Sequence, residues 1–382
     1  MRQAVPPIEI EMEPARDWPH LGDEWRGLEQ RADGSFFLSW RWIGAWLAEL
    51  PAEIEPLCLR ARAGGETVGL ALFTWRRARR HGVIRSTQLH LNTTGHLHFD
   101  QLTIEYNDFL VDRRMAEEVR RAMIRQLAEW TDLWEELFLD GVDPAFLERL
   151  AGIEGQVLIR GRGFNPYVDL GAIADADCLE ALGRNTRHQI RRSYRLFGDP
   201  RLELATDAAD AAVFFYGLVE QHKAVWSPRG YAGAFWNDFL MGFHRRLIAE
   251  GLPSGEVQLL RTRGGDGKIV GHLYNFVYRG RVYCYQSGFA RFADNRMKPG
   301  LLSHHLAIVM SRANGLRYYD FLAGDSRYKR SLSNRVGEMV WIVMQRPALR
   351  FTIEHRLRGA KQRLGDVGRR VRGRFLPLRS DG

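Results

Sequence analysis

The same order of secondary-structure signals occurs twice along this 382-residue chain, and that repetition limits the fold more than any single motif does. In the first half, Trp18–Arg31 reads as a helix and Ser39–Leu50 as an amphipathic helix with Ser39 at its N-cap. Glu55–Ala63 and Thr67–Arg77 alternate around Gly64-Gly65, the pattern of a β-hairpin. Val83–Leu91 and Asn107–Val111 read as strands, Met115–Glu129 as a long helix, and Trp134–Leu139 as a buried strand ending at Asp140-Gly141. The second half gives helices at Leu179–Phe197, Ala208–Lys223 and Ala234–Glu250, then a hairpin of Glu256–Arg263 with Lys268–Tyr278. A strand at Arg281–Phe289, a helix at Leu301–Ala313 and a strand at Leu316–Leu322 complete it. Each half therefore predicts a mixed sheet with flanking helices, an α+β unit present twice. Periodicity lapses at Gly161–Pro166, where the seam between the units is expected. The division reads 1–163, 164–345 and a tail, 346–382.

Other sequence properties narrow the function classes. No apolar run approaches the roughly 18–20 residues that a spanning helix needs. The N-terminal MRQAVPPIEIEMEP has Pro and Glu where a signal peptide needs an apolar core, so the cytoplasm is expected. Cys58, Cys178 and Cys284 are far apart, which argues against a disulfide framework or a zinc site. His90, His96 and His98 lack a carboxylate partner at ligand spacing and read as a loop, so no metal is expected. Most of the net charge of +9 sits at the end of the chain. From Arg350 onward there are ten Lys or Arg against Glu354, Asp366 and Asp381. Such a tail is either solvated or a peripheral contact with an anionic membrane surface. A nucleic-acid partner is the weaker expectation.

The stretch Ile269–Lys329 carries the chemistry. Two strands joined at Arg279-Gly280 lead into a loop and a helix opening at Pro299-Gly300, an arrangement that offers backbone N–H groups and a positive dipole end to an anion. Gly288 in YCYQSGF marks a close backbone approach or a bulge, and Tyr283, Tyr285 and Ser287 are expected on one face. Asp320 and Asp325 flank Ala323-Gly324, so a turn there would bring both carboxylates to one edge, beside Tyr328 and Lys329. On the preceding helix, Arg184, Arg187, Arg191 and Arg195 share a face, which suits an anionic acceptor or a solvated surface. His222, Lys223, Trp226 and Arg229 lie at a helix end before a turn.

In this order, the words FFLSWRWIGAWLAEL, GRNTRHQIRRSYRLFG, HKAVWSPRG, YCYQSGFARFADNRMKPG and YDFLAGDSRYKRSLSN resemble the GNAT acyltransferases grouped with the CelD-type, polysaccharide-associated proteins. More distantly they resemble the Fem-type aminoacyltransferases. The resemblance covers nearly all of residues 35–335 and implies a tandem GNAT fold, with a degenerate first unit and the cofactor and catalytic site in the second. It implies an acyl group, acetyl in the first instance, moved from acyl-CoA to an amine or hydroxyl of a small-molecule, lipid-linked or nucleotide-linked sugar acceptor. On that reading Tyr285, Ser287, Gly288, Arg296, Lys298, Gly300 and Leu301 hold the cofactor. Asp320 or Asp325 serves as base or substrate anchor, Tyr328 or Lys329 as proton donor or anion contact, and His222 as the alternative base. Arg187, Arg191 and Trp226 border the acceptor. The phosphate loop departs from the family pattern, because Asn295–Leu301 keeps one glycine and Pro299 removes a donor. The alternatives are aminoacyl transfer from tRNA in the Fem manner, or a catalytically inactive GNAT-fold binding protein.

Overall fold

The repeat in the sequence is a repeat in space. A computed structural model describes residues 7–81, 83–173, 178–226 and 235–357, without the side chain of Trp226. The first half runs β1 (Ile8–Pro14), α1 (Leu21–Arg31), α2 (Trp40–Glu49), β2 (Pro56–Ala63), β3 (Glu66–Arg80), β4 (Ile84–Leu91), β5 (Leu110–Val111), α3 (Ala116–Glu129), β6 (Glu136–Val142), α4 (Phe146–Arg149) and β7 (Gln156–Asp169). The second runs α5 (Arg184–Phe197), β8 (Arg201–Leu204), α6 (Ala208–Trp226), α7 (Asp238–Gly251), β9 (Val257–Arg263), β10 (Ile269–Tyr278), β11 (Arg281–Phe289), α8 (Pro299–Ala313), β12 (Tyr318–Asp320), α9 (Arg327–Leu332) and β13 (Arg335–Gln345). Residues 349–357 are helical.

Local chemistry explains most of these elements. Ser39 caps α2, its side chain accepting from the Trp42 amide. The β2–β3 hairpin turns at Gly64 and Gly65, with φ of 58° and 85°. The β10–β11 hairpin turns at Arg279 and Gly280, both also at positive φ, as a two-residue turn matched to strand twist requires. In each half a long helix crosses between two parallel strands. α3 joins β4 to β6, with Gln88, Leu89 and His90 opposite Glu136, Leu137 and Phe138. α8 joins β11 to β12, with Arg281, Val282 and Tyr283 opposite Tyr318, Tyr319 and Asp320.

The two units share one sheet, ordered β1-β2-β3-β4-β6-β13-β7-β12-β11-β10-β9-β8, with β5 beside β3. The expected seam is therefore corrected: Gly161–Pro166 lies in the middle of β7, which pairs with β13 along its length and with β12 at its end. β13 comes last in the chain yet lies between β6 and β7, so the C-terminal strand completes the sheet of the first half.

One sheet face is covered by α3 in the first half, over Phe73, Leu137 and Val340. In the second half it is covered by α5 and α8, over Leu273, Val282 and Tyr319. The opposite face carries an aromatic core built from both halves. Phe36, Phe37 and Trp42 of the first pack on Tyr274, Phe276 and Tyr285 of the second, with α6 and α7 closing the layer. Phe36 stacks on Phe276 with centroids 4.3 Å apart, and Trp42 meets Phe243 edge-on at 4.8 Å. Around this core Arg41 reaches Glu250 and Glu256 at 3.2 and 3.0 Å, and the Tyr278 hydroxyl donates to Glu29 at 2.9 Å.

Among the described residues, no helix is long and apolar enough to cross a membrane. The tail beyond residue 357 lies outside the described residues. Because Phe36 is fully buried between the halves, Phe36→Ala is expected to cost about 3–5 kcal/mol. Urea unfolding followed by tryptophan fluorescence should show a single transition moved to lower denaturant, since the halves share β7, β13 and this core.

Candidate active site

The site begins where β11 and β12 part. They pair for three residues, after which β12 ends at Asp320 while β11 continues to Phe289. Tyr274 faces Gln286 and Asn275 faces Cys284, so Tyr285 is the extra residue of a β-bulge. The bulge resets the alternation. Tyr283 and Tyr285 both face the aromatic core, but Phe289 packs toward α8 and Gly288 toward α6. Ser287, between a Gly288 facing α6 and its other neighbour, therefore lies on the α8 side, not on the tyrosine face. Gly288 does mark a close approach, though the neighbour is protein: a Cβ there would come 2.8 Å from the Gln221 side chain of α6.

Asp320 is fully buried at this fork and accepts three hydrogen bonds. Arg281 Nη1 donates at 2.7 Å, the Leu322 amide at 2.8 Å, and the Tyr106 hydroxyl through a short contact. Asn165 Nδ2 in turn donates to the Tyr106 oxygen. Burial raises the pKa of both Asp320 and Tyr106, the nearby negative charge of Asp320 adding to the effect on the phenol. Glu105 and Lys329 clamp the adjacent turn. Glu105 accepts from the Ala323 amide at 2.6 Å, and Lys329 Nζ donates to the Leu322 and Ala323 carbonyls at 3.2 and 2.7 Å. Burial pushes Glu105 up to about 8 and Lys329 down, each toward its neutral form. Tyr106 and Leu322 hold φ of 50° and 61°, so backbone strain sits on both sides of the Asp320 carboxylate.

Tyr106, Asn165, Arg281 and Tyr283 line a cavity of about 430 Å³, whose far wall is Asp33–Ser35 of the first half and Gly337–Met339 of β13. Asn165 is 2 % exposed, and its Oδ1 has no hydrogen-bond partner among the described residues. A cavity with a few converging polar groups and perturbed ionisable side chains has the form of a small-molecule site.

Asp320 and Lys329 are the two sequence-predicted residues brought together here. Asp325 points elsewhere, half exposed and paired with Arg330 at 2.8 Å, so the two aspartates do not share an edge. Tyr328 is stacked flat on His304 at 5.3 Å, its phenol pKa raised by burial. His222 is buried beside Phe235, and burial lowers it to about 4. Trp226 ends α6, and its side chain lies outside the described residues. Arg187 and Arg191 both bind Glu180, the latter at 2.5 Å, which balances the arginine face from within the same segment. Cys284 is a buried thiol that burial raises to about 11.

The helix-terminal anion cradle is also altered. Arg296 is held bidentately by Asp294, at 2.8–3.0 Å. The Lys298 amide donates to Ser193 of α5 at 3.1 Å. Gly300 faces the Phe289 ring, which a Cβ would meet at 3.2 Å, and Leu301 follows it in the first turn of α8. Beyond Tyr283 β11 continues without β12 beside it, while at the start of α8 Phe289 lies against Gly300 and Asp294 takes the charge of Arg296. Glu105, Tyr106, Asn165 and Arg281 escaped the sequence reading, since none belongs to a motif. Their one local signal is Asn165-Pro166, which forces an extended backbone at Asn165.

The raised pKa of Glu105 has a thermodynamic sign. Between about 4.5 and about 8 the folded chain keeps a proton that the unfolded chain has released, so this contribution to stability is full below that interval and is lost as pH rises through it. Glu105→Gln preserves the neutral shape. Its stability relative to the parent is expected to improve steadily from pH 5 to pH 8 in chemical denaturation, and a pH-independent difference would refute the assignment.

No curated protein matches the sequence. Residues 184–330 match the family model described as an acetyltransferase (GNAT) domain. Among solved structures, FemX is similar at 11% identity, covering 86% of this chain and 96% of its own, with a TM-score of 0.57. L-PGS from Bacillus licheniformis is similar at 10% identity over 86% and 94%, with a TM-score of 0.51. A tandem GNAT protein from the clavulanic acid biosynthesis pathway aligns at 12% identity over 89% and 100%, at 0.45, too loosely to bear on how the halves are arranged. The chain has the GNAT fold, and its second half carries the GNAT acetyltransferase sequence signature.

Proposed function

We propose that this protein is an acyltransferase that moves an acyl group from a thioester donor, acetyl-CoA in the first instance, to an amine or hydroxyl of a sugar-containing or cell-envelope precursor. The observation that carries the reading is the Tyr106–Asp320 pair at the fork of β11 and β12, opening onto a cavity between the two halves. The donor would lie along the free edge of β11 with its acyl carbon near Tyr283–Tyr285, and the acceptor would enter from the cavity. As the acceptor nucleophile attacks the carbonyl, its proton passes to the Tyr106 oxygen while the phenolic proton moves to Asp320 Oδ2. The raised pKa of Asp320 makes it a better proton acceptor than an ordinary aspartate. Arg281 stays bonded to Asp320 and limits the cost of a buried charge. The thioester C–S bond breaks as the tetrahedral intermediate collapses, the sulfur leaves as a thiolate that takes up the proton returned from Asp320 through Tyr106, and no covalent adduct to the enzyme forms. The first half then contributes Tyr106 to the site of the second.

The covered Gly300 and the Asp294–Arg296 pair support a second reading, aminoacyl transfer from tRNA in the Fem manner, in which no CoA pyrophosphate need be held at α8. Thermal-shift measurements separate the two: stabilisation by acetyl-CoA supports the first reading, and stabilisation by charged tRNA alone supports the second. With a donor in hand, Asp320→Asn and Tyr106→Phe should each lower kcat by about a hundredfold or more, while leaving the donor KM within about twofold. Full activity in both variants would remove the relay.

A further inference from the structure

A second cavity, of about 720 Å³, opens on the same sheet face in the first half. It stands at the parallel pair β4–β6, the counterpart of β11–β12. By register, Gln88 takes the place of Arg281, His90 that of Tyr283, and Phe138 that of Asp320. Its chemistry differs from that of the first cavity, because its walls are basic: Arg76, Arg79 and Arg80 come from β3 and Arg160 from β7.

The carboxylates of this cavity are already engaged. Glu136 accepts from Arg80 at 2.5 Å, Ser86 at 2.5 Å, Gln88 at 3.0 Å and Gln345 at 2.7 Å. Burial alone would raise its pKa, and those four donors hold it at about 2. Asp140 faces Arg160 at 3.2 Å, and Asp100 accepts from the Thr94 amide and hydroxyl, both at 2.8 Å. Arg76 has no such partner. Its Nη1 donates to the Gly95 carbonyl, while its Nε is buried without a hydrogen-bond partner among the described residues. The local potential is positive enough to bear on His90, which is lowered to about 3 by burial and then by Arg76 and Arg160. His90 also stacks on Phe138 with centroids 4.4 Å apart.

The two cavities are both lined by residues of β13. Val340, Ile342 and Met344 point into the core beneath α3, so the odd-numbered residues share the opposite face. Of these, Gly337 and Met339 line the cavity at Tyr106, and Val343 and Gln345 line the basic cavity. Trp341 lies between them, opposite Gly161 in register and over Gly163, where a Cβ would come 2.8 Å from its ring. From Met339 to Val343 the strand spans about 13 Å.

We propose that the Arg76 cavity is an anion subsite that binds the phosphate or diphosphate end of an extended acceptor, whose intervening part crosses Trp341 and whose nucleophile reaches Tyr106. The proposal rests on the acyltransferase reading for the second end only; the anion subsite stands or falls by itself. Arginine forks match phosphate oxygens bidentately. Arg76, whose Nε is buried without a partner among the described residues, is the guanidinium left to take an anion, with Arg80 and Arg160 beside it already paired to Glu136 and Asp140. The phosphate ester can belong to a lipid carrier or to a soluble nucleotide.

Isothermal titration of the full chain with inorganic pyrophosphate tests the subsite without any activity assay. The parent should bind, and Arg76→Gln should weaken binding at least about tenfold. Arg160→Gln should do the same, with circular dichroism showing that both arginine variants fold, whereas Asp320→Asn should leave binding unchanged. Farnesyl diphosphate in detergent and uridine diphosphate, titrated in parallel, distinguish the sources: tighter binding of one than of pyrophosphate identifies the carrier, and equal binding of all three supports headgroup recognition alone. Failure of the parent to bind pyrophosphate at millimolar concentration, or binding that survives both arginine substitutions, would overturn the subsite. Full activity in Asp320→Asn with pyrophosphate binding lost in Arg76→Gln would overturn the catalytic reading and keep the subsite.

Discussion

The pairing of β13 between β6 and β7 is the contact on which the rest of the molecule depends. By sequence it belongs to the second repeat, yet its hydrogen bonds close the sheet of the first, from Val340 opposite Val142 to Gln345 opposite Glu136. β7 makes the reciprocal crossing, pairing with β13 along its length and with β12 through Tyr167–Asp169. Neither repeat's part of the sheet is complete without a strand from the other, so the halves share one hydrogen-bonded framework. The cost is topological. Strands about 200 residues apart must meet before the central ladder exists, and loop-closure entropy opposes such pairing until the flanking hairpins have formed.

That crossing also explains how a buried polar cluster is tolerated at Asp320. An aspartate, an arginine, a tyrosine and an asparagine away from water are costly unless each finds partners. Asp320 comes from β12, Arg281 from β11, Asn165 from β7 and Tyr106 from the loop before β5, and the shared sheet holds these segments in register. The left-handed backbone at Tyr106 and Leu322 is unfavourable for any side chain with a Cβ. Such strain persists where the surrounding structure over-determines the conformation, as the Ala323–Glu105 and Leu322–Asp320 bonds do here.

Much of the fold was legible in the sequence because its signals are local. Ser39 marked a helix start, Gly64-Gly65 and Arg279-Gly280 marked hairpins, and the order of elements marked the duplication. β7 was not legible, since Gly161, Gly163 and Pro166 read as a break. In the structure Gly163 makes room for the Trp341 ring, and Pro166 still supplies the carbonyl that accepts from the Phe321 amide at 3.1 Å. The site was legible in part. Asp320 and Lys329 stand in one recognisable word, but Tyr106 lies 214 residues from Asp320 and Glu105 lies 218 residues from Ala323, and no periodicity registers such a meeting. Arg296 and Gly300 misled for the converse reason. A basic residue and a glycine suggest an anion cradle, yet Asp294 two residues earlier takes the charge and Phe289 from β11 takes the space.

Duplication gave the chain two copies of one strand fork, and the two have been furnished in opposite ways. In the first half Glu136 is surrounded by donors and held ionised, which fixes a rigid, satisfied floor beneath a basic cavity. In the second half Asp320 also has donors, but deeper burial raises its pKa, and its neighbours hold strained backbone. A floor that stays charged and fully bonded can orient a ligand and has little capacity to exchange a proton. A carboxylate whose proton affinity burial has raised, reached through a single phenol, is better placed to take one up. Because β13 presents alternate residues to both forks, a ligand long enough to follow Met339, Trp341 and Val343 would touch both copies, and under the proposed relay its far end would meet Tyr106 and Asp320.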